Sequence, residues 1–400
     1  MKIIFIGGVF TEKQKKLIEK SSSGVIQNAA NVLQSNILKG LVEVFPSNIE
    51  LINLPFVGSY PKRFDRLYFP PTSETIFNEI NVIGLGFINL TFIKYFSRFI
   101  AVFKSLAFNK ELNNNYIMIY SFHLPFIMAA ALVKKLIHLD LKICLIVPDL
   151  PEYMNDQGNF FYRQLKKVES FFSKFFLPYV DCYILLTGEM SKKLKISSEK
   201  YIVIEGVANL KDYEKTSHIN KEKYIFYSGT LAERYGIKEL VDAFIELKPK
   251  NYQLWICGDG DSLNYIEKKS VAYSGIKCLG QLPRDEVIQL QKNAAVLVNP
   301  RRPEGEFTKY SFPSKVMEYM SSGRPVIMHK LPGIPSEYYQ YCYTPMSSTF
   351  SSFVDCLRNT LALPSSELTS KGLAAKNFIK NNKNHVKQAE KIKDFLLRNN

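Results

Sequence analysis

The chain has 400 residues, 46% hydrophobic and 22% charged, with no low-complexity tract; this excludes disordered and fibrous classes and leaves material for two or three cores. Its formal net charge of +15 is spread evenly, with 24 basic and 17 acidic residues over 1–210 and 28 and 20 over 211–400, so neither half is a basic arm. It carries no zinc-finger spacing, RNP-type motif or arginine stripe, and nucleic acid is not an expected partner.

The opening MKIIFIGG has an apolar run too short for a signal-peptide core and reads as a first strand. Strands are predicted next at IELINL, YIMIYS, KICLIVPD, DCYILLT and YIVIEG, separated by helical patterns, the alternation that builds a parallel sheet. Within this half, residues 82–107 place Lys94, Arg98 and Lys104 at helical spacing among Phe, Ile and Leu. That pattern suits a helix lying on an anionic bilayer with its cations outward, and equally a core helix with a solvated stripe. No stretch reaches the ~18–20 apolar residues of a spanning helix.

A polar, turn-rich segment at 206–223 marks a boundary, and strands resume at YIFYSGT, YQLWICGDG, IKCLGQL, AAVLVNP and RPVIMH. The expected organisation is a domain over 1–208, a second over 209–370, and one long lysine-rich helix over 371–400 that packs back toward the first. In open α/β folds ligands bind at the carboxyl ends of the strands, here in a cleft expected between the two domains. Six cysteines without a C-x-x-C pair read as buried, reduced thiols of a cytoplasmic protein.

The most informative stretch is RRPEGEFTKYSFPSKVMEYMSSGRPVI, residues 301–327. A strand feeds a charged loop, and a helix then starts near Pro313 and Ser314. Helix amino termini present unpaired N–H groups and partial positive charge to anions, and Lys315 in the first turn adds a full charge. One turn on, Glu318 has two acceptor oxygens for a pair of sugar hydroxyls. The bland alternative is a decorated surface helix.

FPSKVMEYMSSGRPVI resembles the donor-site helix and following strand of glycosyltransferase family 4, retaining enzymes of the GT-B fold. YSGTLAERYGIKELVDAF, LWICGDGDSLNYIE and IKCLGQLPRDEVIQLQKNAAVLVNP resemble the preceding segments of that family's carboxy-terminal domain, in order, over roughly 224–328. The resemblance implies an α/β, GT-B protein with two Rossmann-like domains facing each other across a cleft. It implies donor contacts at Gly229, Thr230, Gly258, Tyr310, Phe312, Pro313, Ser314, Val316 and Glu318, with Glu318 on the nucleotide ribose. In the first domain Gly8 and Gly24 correspond to the glycine-bearing first loop, and His123, in YSFHLPF, to a histidine that approaches the donor sugar.

Two positions depart from the family pattern. The first of its two donor-site glutamates is Tyr310 here, with Glu304 and Glu306 just upstream. Its diphosphate-binding arginine and lysine are Thr230 and Tyr235, and Arg234 is the substitute, a guanidinium suited to bidentate phosphate contact. Arg234, Lys315 and helix amides would stabilise the leaving diphosphate without a metal, so no metal or cofactor is expected.

The function implied is transfer of a sugar from a nucleotide-sugar donor, with uridine as the expected base, to a lipid-linked or growing glycan acceptor in bacterial surface polysaccharide assembly. A polyprenyl-diphosphate carrier and peripheral contact with an anionic membrane fit the basic charge. A GT-B nucleotide-sugar epimerase and a catalytically silent nucleotide-binding scaffold are the alternatives, the latter motivated by Tyr310.

Overall fold

The computed structural model describes residues 1–23, 26–77, 80–109, 112, 115–153, 171–214 and 222–399. The chain divides into two units: Met1–Val207 with His385–Asn400, and Ala208–Asn384.

Unit 1 is built on strands β1 (Ile3–Gly7), β2 (Ile49–Asn53), β4 (Thr72–Ile76), β5 (Ile80–Gly84), β7 (Tyr116–Tyr120), β8 (Lys142–Val147), β9 (Cys182–Leu185) and β10 (Tyr201–Val203), with β3 (Tyr68–Phe69) and β6 (Phe87–Ile88) forming a separate small ribbon. The sheet order is β10-β9-β8-β7-β1-β2-β5-β4, and every pair is parallel except β4 with β5. IIFIG and YIMIY are buried along their whole length, as strands covered on both faces must be, which is why they read as unbroken apolar runs. Its helices include α1 (Glu12–Ser21), α2 (Asn28–Val44), α3 (Ile93–Ala107) and α4 (Leu124–Leu136).

Unit 2 holds β11 (Tyr224–Ser228), β12 (Gln253–Cys257), β13 (Ile276–Cys278), β14 (Val296–Asn299) and β15 (Val326–Met328) in the order β13-β12-β11-β14-β15, all parallel. The reversal of strand order falls between β11 and β14, where crossovers leave to opposite sides and the loops at the carboxyl ends part. Helices α5 (Ile237–Leu247), α6 (Leu263–Ala272), α7 (Arg284–Asn293) and α8 (Ser314–Ser322) connect the strands. Ile225, Tyr227, Leu240, Ile256, Val298 and Leu357 lie in its buried core.

Two expectations are corrected. Residues 82–107 are not one helical stretch: they hold most of β5, then β6, then α3. Both readings of α3, a bilayer helix and a core helix with a solvated stripe, had its cations pointing outward, yet Lys94 and Arg98 are 8% and 1% exposed and only Lys104 reaches solvent. Backbone carbonyls accept from the two inward side chains: Lys94 Nζ donates to Val57 O at 2.5 Å and Arg98 Nη2 to Pro55 O at 2.5 Å. Arg98 also lies 4.3 Å from the Phe87 ring centre. Burial, and for Lys94 the neighbouring Arg98 charge, pushes Lys94 down to about 6; burial alone brings Arg98 down to about 9, although Tyr95 opposes it.

The second correction concerns the chain's end. The single helix expected from Lys371 is two, Ser365–Asn382 and His385–Arg398, the first in unit 2 and the second in unit 1. The break falls at Lys383, whose buried ammonium is held by Glu337 at 2.8 Å and lies 5.4 Å from the Tyr338 ring. The terminal helix is tied to unit 1 by Tyr116, whose hydroxyl donates to Leu396 O at 3.0 Å.

Candidate active site

The site in unit 2 is assembled at the carboxyl ends of β11 and β14. Gly229 follows β11 with φ +138° and donates its N–H to Cys257 O at 2.8 Å. Gly258, at the end of β12, has φ +146°, and a Cβ there would lie 1.8 Å from Gly229 O. Only glycine allows two loop backbones to meet at that distance in those conformations. Leu231 N–H to Asp259 O and Ser262 N–H to Leu231 O, 2.8 and 2.9 Å, lock the two loops together.

Helix α8 begins after Pro313 with no side chain capping its first turn; Val316 N–H turns back to Pro313 O at 3.0 Å, and the amides ahead of it, at Ser314 and Lys315, are the ones placed to serve an outside acceptor. It is pinned to β11 through Tyr319, whose hydroxyl accepts from Ser228 N–H at 2.9 Å and donates to Ser228 O at 3.3 Å. Lys315, in that first turn, lies over Gly229 with its ammonium 5.3 Å from the Tyr227 ring and 5.8 Å from Tyr235. Burial brings its pKa down to about 8; Glu318 works against the shift and Arg301 adds to it.

Arg301, just beyond β14, is buried and donates to Ser311 Oγ at 2.9 Å. Its guanidinium lies 4.5 Å from Phe307 and 5.2 Å from Tyr235, while the exposed Arg234 lies 5.1 Å from Tyr235 and 5.7 Å from Phe307. Three cations therefore gather around the Tyr235 ring. Aromatic faces hold them by cation–π attraction, which does not itself neutralise their charge.

Glu318, one turn into α8, does not face open solvent alone. Arg284 Nη1 reaches its Oε1 at 3.0 Å, and Gln291 Nε2 its Oε2 at 3.5 Å. Gln291 also donates to Ser228 Oγ at 3.2 Å and accepts from the Tyr213 hydroxyl at 3.3 Å. Burial works against the Arg284 charge, but Glu318, Tyr213 and Asp212 outweigh it and raise its pKa above the ordinary value. Glu318 is thus an oriented carboxylate with acceptor capacity left over.

The other expected donor positions fall around this frame. Thr230 is exposed, and its carbonyl accepts from the Tyr227 hydroxyl at 2.7 Å. Tyr310 donates toward Glu306 Oε1 at 3.5 Å, and Glu304 pairs with Arg302 at 3.3 Å. Phe312 and Val316 are buried, Phe312 against Tyr338 at 5.5 Å, so their side chains serve the core and only their backbone is offered to a ligand. Gly8 and His123 belong to unit 1, at the carboxyl ends of the adjacent strands β1 and β7. They flank Phe56: a Cβ on Gly8 would lie 2.5 Å from its ring, and the His123 ring meets it edge-on at 5.8 Å. His123 Nε2 is also 3.5 Å from Arg98 Nη1. Gly24 lies outside the described residues.

Sequence reading missed Arg301, Arg284 and Gln291. Arg301 had a signal, a charged residue directly after the strand end VNP; the other two sit on a helix 34 and 27 residues from Glu318 and had none.

Residues 222–353, which carry Arg234, Arg284, Arg301, Lys315 and Glu318, match the family model described as Glycosyl transferases group 1. The matched span lies wholly within unit 2. The whole chain is similar in structure to the lipopolysaccharide outer core galactosyltransferase WaaB in its apo form, at 15% identity over 100% of this chain and 99% of that one, TM-score 0.62. It is similar to Anabaena HepE in complex with UDP, at 14% identity over all of both chains, TM-score 0.61. A trehalose-6-phosphate synthase, studied with bisubstrate glycomimetics for glycosyl transfer with retention, aligns over 99% of both chains at 12% identity and TM-score 0.65. These likenesses make the fold GT-B. No curated protein matches the chain in sequence. Unit 1 holds a Rossmann-like, mostly parallel sheet of its own.

Proposed function

We propose that the protein is a retaining glycosyltransferase of family 4 that moves a sugar from a UDP-sugar to a lipid-linked or growing glycan acceptor in bacterial surface polysaccharide assembly. The observation that carries this reading is the cation cluster of Lys315, Arg301 and Arg234 beside the uncapped amino terminus of α8. The anomeric carbon exchanges its bond to the diphosphate oxygen for one to the acceptor oxygen, the acceptor's hydroxyl proton passes to the departing diphosphate, and negative charge grows on that leaving group as its bond breaks. Preorganised cations and amides stabilise that charge in the transition state more than in the bound donor. Three side-chain cations make this possible without a metal, and activity is expected to survive a chelator.

In this reading Lys315, Arg301 and Arg234 hold the diphosphate over Gly229, with Thr230, Gly258, Pro313 and Ser314 offering backbone contacts. Glu318, steadied by Arg284 and Gln291, accepts from the ribose hydroxyls. Tyr310 and, from unit 1, His123 and Gly8 are assigned to the sugar and the reaction centre. UDP as the nucleotide is supported by its presence in HepE, retention by the trehalose-6-phosphate synthase likeness, and a surface glycan acceptor by WaaB.

The test is calorimetric titration of UDP and GDP, followed by incubation of the preferred UDP-sugar with membrane extracts and NMR assignment of the new anomeric linkage. UDP binding that Lys315→Ala weakens at least tenfold, with an α-linked product from an α-linked donor, supports the proposal. Loss of neither UDP nor GDP affinity in the variant removes the donor-site assignment, and an inverted linkage removes retention.

A further inference from the structure

Among the described residues of unit 1, an exposed apolar surface lies around the β3–β6 ribbon and the start of α3. In the β3–β6 ribbon Tyr68 pairs with Ile88 and Phe69 with Phe87. Phe69 and Phe87 turn inward and stack at 4.7 Å, so Tyr68 and Ile88 share the outer face, and both are exposed. Helix α3 adjoins that ribbon: Ser97 Oγ accepts from Ile88 N–H at 3.1 Å and donates to Ile88 O at 3.2 Å, while Lys94 N–H reaches Leu90 O at 2.7 Å. Leu90, Phe92, Ile93 and Phe96 are exposed as well, Phe92 to 57% and Phe96 to 63%. In the first half of α3 the buried side takes Lys94 and Arg98, before Val102 and Leu106 restore an apolar one, and this local inversion leaves aromatic side chains outside.

Single exposed apolar residues are ordinary, but six on adjoining segments make a patch of the kind that meets a partner or a lipid surface. The segment leading into β3 supplies the charge: Lys62, Arg63 and Arg66 are exposed, with Asp65 the one acid among residues 59–68. A second copy of the chain docked about a twofold axis would bring this basic segment near itself, whereas an anionic surface complements it. No helix of the described residues is long and apolar enough to cross a membrane, so a contact made here lies on the bilayer.

We propose that this face seats unit 1 on an anionic lipid bilayer, with Phe92, Ile93, Phe96 and Tyr68 entering the headgroup boundary and Lys62, Arg63 and Arg66 meeting lipid phosphates. Aromatic side chains favour that boundary, and each cation near an anionic surface adds several-fold to partitioning. The proposal stands independently of the donor-site reading, being carried by the other unit and requiring no glycosyl chemistry.

The test is co-sedimentation of the full chain with vesicles of phosphatidylcholine alone and with roughly a third phosphatidylglycerol, at low and high salt. Wild type is expected to bind the mixed vesicles; Lys62→Glu with Arg63→Glu weakens binding about 30-fold or more, and Phe92→Ser with Phe96→Ser abolishes it, both at wild-type melting temperature. As a check that does not depend on loss, the fluorescence of a Phe96→Trp variant should shift to the blue on binding and be quenched by lipids brominated along the acyl chain. Trp255, the chain's one tryptophan, is buried in unit 2 and gives a constant background. Absence of wild-type binding to anionic vesicles overturns the proposal. So does undiminished binding by Phe92→Ser with Phe96→Ser, or a vesicle-bound Phe96→Trp variant whose emission brominated lipid leaves unquenched. A solution dimer dissociated by the same serine substitutions assigns the face to a second copy instead.

Discussion

Lys315 lies directly over Gly229: a Cβ at position 229 would fall 2.0 Å from Lys315 Cε and 2.3 Å from its ammonium nitrogen. The missing side chain of one residue is therefore the space occupied by the other, and the cation's position is set by the strand-end glycine. Gly229→Ala must displace Lys315 and also hold alanine at φ +138°, a conformation that costs on the order of 1–3 kcal/mol. UDP affinity is expected to fall at least tenfold by calorimetry, with a melting temperature several degrees lower. Wild-type UDP affinity in a folded Gly229→Ala protein would show that the lysine's placement does not matter to the nucleotide.

The depressed pKa of Lys315 gives UDP binding a pH dependence with a definite sign. The free enzyme loses this proton near pH 8, while a bound diphosphate favours the protonated form. Affinity is expected to be flat from pH 7 to about 7.5 and to fall by up to tenfold per pH unit above 8, with proton uptake on binding visible as a buffer-dependent enthalpy. Lys315→Arg keeps its charge throughout this range and should flatten the profile even if its absolute affinity is lower. A profile of the same shape in both proteins would assign the titration to another group.

Glu318 and Lys315 stand one turn apart on α8 and are assigned to different parts of the nucleotide, which separates their variants. Lys315→Ala should weaken binding of UDP and of inorganic pyrophosphate alike. Glu318→Ala should weaken UDP by about tenfold, roughly 1.4 kcal/mol, and leave pyrophosphate unchanged or slightly tighter because a nearby negative charge is gone. Arg284→Met should follow Glu318→Ala in the same direction, since it frees the carboxylate to turn away, and should cost about 1 kcal/mol of stability for a partly exposed ion pair. Equal effects of Glu318→Ala on UDP and pyrophosphate would refute the ribose assignment.

What the sequence shows and what it hides follow from the range of the interactions. KICLIV and YIFYS read as strands because burial on both faces leaves an unbroken apolar run, and the Gly229, Gly258 and Lys315 positions stand at motif-defined strand and helix ends. The orientation of α3 is not local: the same spacing of Lys94 and Arg98 serves an inward or an outward face. The choice is made by the carbonyls of Val57 and Pro55, 37 and 43 residues away. The break at Lys383 is hidden for the same reason, because helical periodicity carries across it and its cause is Glu337, 46 residues earlier. Arg284 found its role only through Glu318, 34 residues on.

Lys94 makes this long-range choice measurable as a stability that depends on pH. Its ordinary pKa of 10.5 applies in the unfolded chain and about 6 in the folded one, so between these values the unfolded state binds the extra proton. Stability contributed by this group therefore rises with pH from about 6 toward 10, the opposite of a lysine held by a carboxylate. The urea midpoint of wild type is expected to climb over pH 6 to 9 more steeply than that of Lys94→Met, whose side chain fills the same space without titrating. The two curves should converge at the alkaline end, where the wild-type lysine is neutral in both states. Parallel curves across the range would mean that Lys94 keeps its proton in the fold, with Val57 O and its surroundings stabilising a full buried charge.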